Sequence, residues 1–128
     1  MAYEAGEIVN DRAIVQVVVA GTTITKGQVV NRQLDNKWDP VVDAGQGPFG
    51  VAIEAAVDTE EVRIVVEGEV TVLTDEAIKL GQIVDAATTG AVGVAGVDAS
   101  GNYVKPVARA MEDIGSAAVG IIKLGLIS

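Results

Sequence analysis

The sequence predicts a mainly β domain, and its composition and patterning support this class in three ways. Apolar residues make up 49% of the chain but aromatic residues only 3%, so the core must be built from Val, Ile, Ala and Leu. Val and Ile are β-branched, which suits pleated strands. The fifteen glycines would weaken helices, and many of them separate short apolar stretches as turns do. The length of 128 residues predicts a single domain, 1–128.

The predicted strands follow one another closely along the chain. Apolar stretches at 13–21, 27–34, 50–57 and 62–73 predict four of them, and further short strands follow in the second half. Gly68 is expected to mark a bulge or bend, because an isolated glycine inside a strand usually does. At most one or two short helices are expected. The best helical signal is 74–81, where Thr74 can cap, acidic residues follow, and Gly81 can end the helix.

Nearly the same five residues occur three times: GEIVN at 6–10, GQVVN at 27–31 and GQIVD at 81–85. The second and third copies are followed by similar strands at similar distances, which predicts two pseudo-repeated β units over 22–70 and 76–127. Chance similarity among valine-rich strands is the alternative. The first copy has no following unit, so it is expected to lack an internal partner and to add itself to a neighbour's sheet.

Several predicted strands are apolar on both faces, including Val15 through Val19 and Ile121-Ile122. A single sheet with one wet face would alternate apolar and polar residues more regularly. Such strands must be sandwiched within the domain or covered by another subunit. In a chain of this size, this pattern predicts self-association.

The charge of the chain restricts its partners. The formal net charge is −9, and a phosphate backbone repels such a surface, so direct binding of nucleic acid is not expected. Between Glu54 and Lys79 acidic residues greatly outnumber basic ones, which suits either a solvated face or a docking surface for a basic partner. The stretch 117–127 is too short to cross a bilayer and contains Lys123, and 1–11 has no secretory pattern, so no membrane association is expected.

No residue pattern predicts catalysis, a metal site or a cofactor. The chain has no cysteine and no histidine, which removes the commonest nucleophilic, basic and metal-ligating side chains. The carboxylate pairs Glu60-Glu61 and Asp75-Glu76 would point to opposite faces of a strand, and Ser100 and Ser116 lie in no nucleophile motif. We therefore expect a protein that is not an enzyme.

Two local patterns resemble ligand sites but are better explained as turns. The stretch 45–50, GQGPFG, matches the dinucleotide fingerprint, yet it contains Pro48 and precedes a predicted strand where a helix is needed. The stretch 35–39, DNKWD, offers Asp35, Asn36 and Asp39 to a cation. It lacks the longer ligand series of a calcium loop, and Asp and Asn are ordinary turn residues.

The order of these elements resembles a known family. It comprises A-G-x-x-I-x-x-G-Q-V-V (20–30), G-V-A-I-E-A-A (50–56), a strand pair containing G-E-V (62–70), D-E-A-I-K-L-G-Q-I-V-D (75–85) and V-A-R-A-x-x-D-x-G-S-A-A-V-G-I-I-K-L (107–124). This order is similar to that of the small capsid cement, or head decoration, proteins of tailed phages and prophages, which genomes often mislabel as recombinases or as domains of unknown function. The resemblance covers 6–124 and rests on glycines and aliphatic residues.

The resemblance implies a virion structural protein. It would be made in the host cytoplasm and would bind the major capsid protein as a homotrimer, stabilising the outer surface of the capsid. The resemblance also implies a small β-barrel or β-clip-like domain. Because the segment 20–30 is similar to the β-clip turn of SAF-type domains, a SAF-type module that binds a ligand or carbohydrate is the alternative function.

For such a protein the sites of interest are interfaces. The sole tryptophan, Trp38, is expected either to close the edge of a core or to anchor a contact, since large aromatic residues contribute most at interfaces. Residues 1–13 could form an arm that orders on docking. The candidate interface residues are Tyr3, Ile8, Val9, Trp38 and Phe49.

Overall fold

A computed structural model describes residues 4–9, 12–33, 35–41, 48–86, 91–95, 99–101 and 106–125. These residues form antiparallel β-strands and turns without any helix, as the predicted fold class requires. The strands are β1 (Ile14–Val19), β2 (Val29–Arg32), β3 (Trp38–Pro40), β4 (Phe49–Ala52), β5 (Glu61–Leu73), β6 (Ile83–Ala86), β7 (Val92–Val94), β8 (Pro106–Ala110) and β9 (Val119–Leu124).

The strands form one sheet with the order β3-β2-β4-β5-β9-β8-β6-β7. Followed inward from either end, β3-β2-β4-β5 and β7-β6-β8-β9 have the same pattern of neighbours. Strand β2 pairs with β3 and β4, and β4 pairs with β5. In the second half, β6 pairs with β7 and β8, and β8 pairs with β9. The sheet curls into a half-barrel. The two halves therefore have the same connectivity, and the repeat is present in the strand pairing.

The shared connectivity makes β1 the counterpart of the second half of β5. Strand β1 pairs with the first half of β5, from Glu61 to Glu67. The second half of β5, from Gly68 to Leu73, pairs with β9 in the same antiparallel way. Beyond these two stretches, Ala20 bridges to Trp38 and Thr74 bridges to Val92, again alike.

The pentads GQVVN and GQIVD build the same turn in each half. Gly27 and Gly81 both have a positive φ, at 93° and 87°. Each donates its N–H to an alanine carbonyl, on Ala52 at 2.7 Å and on Ala110 at 2.9 Å respectively. The Gln that follows closes the turn with its side chain, because Oε1 of Gln28 and of Gln82 each accept a backbone N–H three residues earlier at 2.7 Å. The repeated residues are therefore structural.

Gly68 lies where β5 passes from one half of the molecule to the other. Its φ is +110°, and a side chain there would collide with the backbone of Ala13. Next to it, the β1–β5 register shifts so that Val66 of β5 has no partner between Ile14 and Val15. The predicted bend at Gly68 is confirmed, and it lets one 13-residue strand serve both halves.

Each half contributes to an apolar core. One core consists of side chains from the first half around Ile24, Val62 and Ile64. The larger core joins Val29, Val51 and Val65 of the first half to residues of the second half such as Val84 and Ile122. Apart from Trp38, aliphatic residues fill both cores, as the composition predicts.

The helix predicted at 74–81 is wrong. Backbone donors that a helix would use internally are bonded to distant parts of the chain. The N–H of Thr74 is bonded to Ala118 O, that of Asp75 to Val92 O and that of Ile78 to Ile114 O. The hydroxyl of Thr74 donates to Gly115 O at 2.7 Å instead of capping a helix. Partners remote in sequence outweigh the local preference of these residues for a helix.

Candidate interaction surface

Two of the candidate interface residues, Trp38 and Phe49, lie at the starts of β3 and β4. Trp38 is 4% exposed and packs in the core around Ile24 and Ile64. Phe49 is half-buried and packs against the larger core. Trp38 therefore closes a core edge, one of its two expected roles, and leaves little surface for a partner.

Ile8 and Val9 lie in an extended segment that runs beside β5. Ile8 forms an antiparallel bridge with Val70 and is 39% exposed, while Val9 is half-buried. Tyr3 is outside the described residues. The expectation that GEIVN lacks an internal partner is wrong, because Val70 lies in the same chain. A half-apolar segment can pair with any open sheet edge, and sequence alone does not reveal that β5 offers one.

The segment 4–9 closes the outer edge of the second half of β5. Gly6 donates its N–H to Thr71 O at 2.7 Å, Thr71 donates its own to Glu7 O at 3.0 Å, and Val9 donates to Glu69 O at 3.2 Å. The Thr71 hydroxyl donates to Glu4 O. As a result Thr71 is fully buried, with 0% exposure.

The same segment also covers the turn of the first pentad repeat. A side chain on Gly6 would lie 2.6 Å from Gly27 N and 2.7 Å from Ala52 O, and one on Gly27 would collide with Ala5. Lys26 in this turn forms an ion pair with Glu4 at 3.5 Å. The equivalent glycine in the second half, Gly81, has open space where its side chain would be. Among the described residues, the first turn is covered by another segment and its counterpart is not.

Strand β1 is the most exposed apolar element among the described residues. Its sequence is IVQVVV, and of its six residues Val18 alone is buried. Ile14 is 50% exposed and Val17 is 56% exposed, and Val15 and Val19 are exposed to 40% and 37%. Sequence reasoning identified this strand as apolar on both faces but did not select it as a site. Its exposure depends on which neighbours the fold supplies.

No model of a protein family and no curated protein matches this chain. Among solved structures it is similar to the N base of head fiber gp8.5 in bacteriophage phi29. The TM-score is 0.63 at 12% sequence identity, and the match covers 88% of this chain and 94% of the phage chain. The two chains share a fold.

The phage head fiber base matches nearly the whole chain, so the shared fold includes both β halves and is not limited to one repeat. Within the described residues, no helix is long and apolar enough to cross a membrane. The same residues contain no cluster of three or more acidic, His or Cys side chains arranged to hold a metal ion. In the DNKWD loop, Asp35 accepts a hydrogen bond from the N–H of Lys37 at 3.0 Å, as a turn residue does.

Asp39 and Glu54 have shifted pKa values. Partial burial raises the pKa of Asp39, with further contributions from the negative charges of Asp35 and Asp58. The Arg63 backbone N–H, at 2.9 Å, lowers the pKa of Glu54, and the Arg63 guanidinium adds to this effect at 3.2 Å. Of these, the Glu54–Arg63 pair is structural, because it ties the turn after β4 to β5.

Proposed function

We propose that this chain is a virion structural protein that decorates and stabilises the outer surface of a phage capsid. The observation that supports it most is the fold shared with a phage head fiber base over most of both chains. The sequence resemblance to capsid cement proteins supports the same role independently. Cement function requires complementary interfaces and no catalytic group.

The proposal includes the partners that the resemblance implies. The chain assembles as a homotrimer, made in the host cytoplasm, and binds the major capsid protein at the surface of the virion. It acts without enzymatic activity and without direct contact with nucleic acid. An uncharged exposed strand in a chain of net charge −9 supports self-association, because copies can meet there without opposing their carboxylates.

The decisive experiment mixes the purified protein with expanded capsids that lack it, followed by sedimentation and a heat challenge. We expect the protein to sediment with the shells and to raise the temperature at which they open. The protein without capsids, and an unrelated acidic protein of similar size mixed with capsids, should both stay in the supernatant. Absence of co-sedimentation together with unchanged heat resistance would refute the proposal.

The alternative is a SAF-type module that binds a ligand or carbohydrate, and one feature favours it. A cleft of about 350 Å³ is lined by Arg32, Trp38 and Phe49 together with Gln16. Carbohydrate sites usually present an aromatic face, and Trp38 is almost fully buried here. Titration with a glycan panel, monitored by Trp38 fluorescence, tests this alternative. A saturable change that Arg32→Ala removes would support it.

A further inference from the structure

The two halves of the molecule share their strand connectivity but differ in whether one strand edge is covered. Strand β1 and the second half of β5 occupy equivalent places, each antiparallel to its neighbour along one edge. The segment 4–9 covers the other edge of β5 and buries Thr71. At the equivalent position of β1, Val17 is 56% exposed.

Within the described part of the chain, the outer edge of β1 presents unpaired backbone groups as well as apolar side chains. In β5, Glu69 and Thr71 point their backbone groups to the segment 4–9. The equivalent residues of β1 are Val15 and Val17, and among the described strands β1 pairs with β5 alone. Exposed edges in stable proteins usually carry a charge, a proline or a bulge that prevents pairing. The stretch from Ala13 to Thr25 has no charged residue and no proline, so no such side chain guards this edge.

We propose that β1 is the surface through which copies of this chain associate, with a second copy covering the exposed Val15 and Val17. The proposal deepens the self-association that belongs to the proposed function, and it does not depend on capsid binding.

The charges on and around β1 allow a second copy to be the occupant. Two molecules of net charge −9 repel each other, and the uncharged β1 lets them meet without opposed carboxylates. The rim carries both signs, because Arg63 lies opposite Val17 and Glu61 lies opposite Val19 in the β1–β5 pairing. Arg63 is held by Glu54 at 3.2 Å, which keeps its guanidinium engaged beside the valines. An apolar centre with a polar rim is the usual anatomy of a protein interface.

Free edges favour the same occupant. A strand edge is completed by an extended segment whose own edge is free, such as a strand of a second copy. The terminal strands β3 and β7 are bridged to Ala20 and Thr74, and residues 4–9 occupy the edge of β5. Strand β1 is the longest described strand with a free edge. The β1 strand of a second copy therefore offers a free edge of the same length.

The test compares two valines that lie in different parts of the fold and are almost equally exposed. Val17 in β1 is 56% exposed, and Val57 in a turn is 54% exposed. Val17→Glu and Val57→Glu add the same charge to the same kind of residue. Sedimentation equilibrium from micromolar to several hundred micromolar protein gives the mass of each variant, and far-UV circular dichroism with thermal melting confirms that each is folded.

We expect the unaltered protein and Val57→Glu to associate with the same dissociation constant. An unpaired carboxylate inside the contact should raise that constant at least about 100-fold in Val17→Glu, while Val17→Ile should leave it nearly unchanged. A dimer would indicate edge-to-edge pairing of β1 strands, and a trimer would indicate packing of the valine faces around an axis. Either oligomer supports β1 as the contact if the Val17→Glu variant has the mass of a monomer.

Amide hydrogen exchange adds a second readout. The amide of Val15 should exchange more slowly in the associated protein than in the monomeric Val17→Glu variant. Val15 is the residue compared because it is the same in both proteins. An unaltered protein that stays monomeric, or a Val17→Glu variant with the mass of the unaltered protein, would overturn the inference. A protein that associates through β1 but does not sediment with capsids would support the inference and refute the capsid function.

Discussion

At the residue scale, both halves contain a contact between an aspartate and a glycine, but the two residues occupy opposite positions in the two halves. In the first half a side chain on Gly21 would lie 2.5 Å from Asp39 Oδ1. In the second half a side chain on Gly93 would lie 2.8 Å from Asp75 Oδ1. Gly21 corresponds to Asp75 and Asp39 to Gly93, so each half packs one carboxylate against one glycine, with the two residue types exchanged between the equivalent positions. In the first half Asp39 Oδ1 is buried and has no hydrogen-bond partner among the described residues.

The raised pKa of Asp39 leads to a prediction about pH. Its pKa in the folded state lies above the ordinary value of 3.8, so ionised Asp39 reduces stability at neutral pH and protonated Asp39 does not. The favourable contribution is complete below the unfolded-state pKa and is lost as the pH rises through the folded-state pKa. Asp39→Asn should therefore raise the unfolding free energy at pH 7 and change it little near pH 3. Urea denaturation at the two pH values measures this.

The control for this prediction removes a neighbour of Asp39. Asp35 is one of the two negative charges that raise the pKa of Asp39. Asp35→Asn should give a smaller gain at pH 7 in the same direction. An equal gain from Asp39→Asn at both pH values would show that the charge of Asp39 is not its cause.

At the element scale, the two halves fill equivalent positions with side chains of different size. Ala56 forms a bridge with Ile24, and Ile114 forms the equivalent bridge with Ile78. Val62 pairs with Val18 in β1, and Gly120 pairs with Val72 in β5. The first half thus combines a small residue at 56 with a larger one at 62. The second half combines a large residue at 114 with glycine at 120, and a side chain on Gly120 would collide with Ile114.

This exchange of volume predicts strong coupling between positions 114 and 120. Gly120→Val should cost about 3 kcal/mol, because its side chain must overlap that of Ile114. Ile114→Ala should also cost about 3 kcal/mol by leaving a cavity. The double variant reproduces the Ala56–Val62 arrangement of the first half, so we expect it to be more stable than either single variant. Urea denaturation of the three variants measures the coupling, and costs that simply add would contradict it.

At the scale of the whole molecule, residues 4–9 join the halves, because they bond to β5 and also touch the Gly27 turn. We therefore expect the amides of Gly6 and Val9 to be protected from hydrogen exchange in the isolated protein, at a level close to that of β5. Hydrogen exchange followed by mass spectrometry can measure this. Rapid exchange in the isolated protein that becomes slow on capsids would instead support an arm that orders on docking.

Thr71 offers a side-chain test of the same contact. Its hydroxyl donates to Glu4 O, and it accepts the Glu7 N–H at 2.9 Å. Thr71→Val keeps the shape and removes both bonds, so exchange at Gly6 and Val9 should accelerate while exchange in β9 stays slow. The equivalent change on β1, Val17→Thr, removes no bond and serves as the matched control.

Much of the fold can be read from the sequence. Abundant Val and Ile with many glycines determine the β class, and the pentads determine two identical turns, because only a local φ above zero and a Gln side chain are needed. The bend at Gly68 is equally local. The helix at 74–81 was predicted wrongly because its backbone donors are bonded to residues 92, 114 and 118, which no local pattern indicates.

The tertiary structure decides which apolar residues form the proposed interaction surface. The sequence alone determined that Val15 through Val19 are apolar on both faces and that Trp38 is the only tryptophan. Whether a side chain is buried depends on which distant segments the fold places over it. Trp38 is buried by the first core, Thr71 by residues 4–9, and Val17, in the place equivalent to Thr71, is left exposed. The sequence determined which strands could be covered, and the fold decided which of them is.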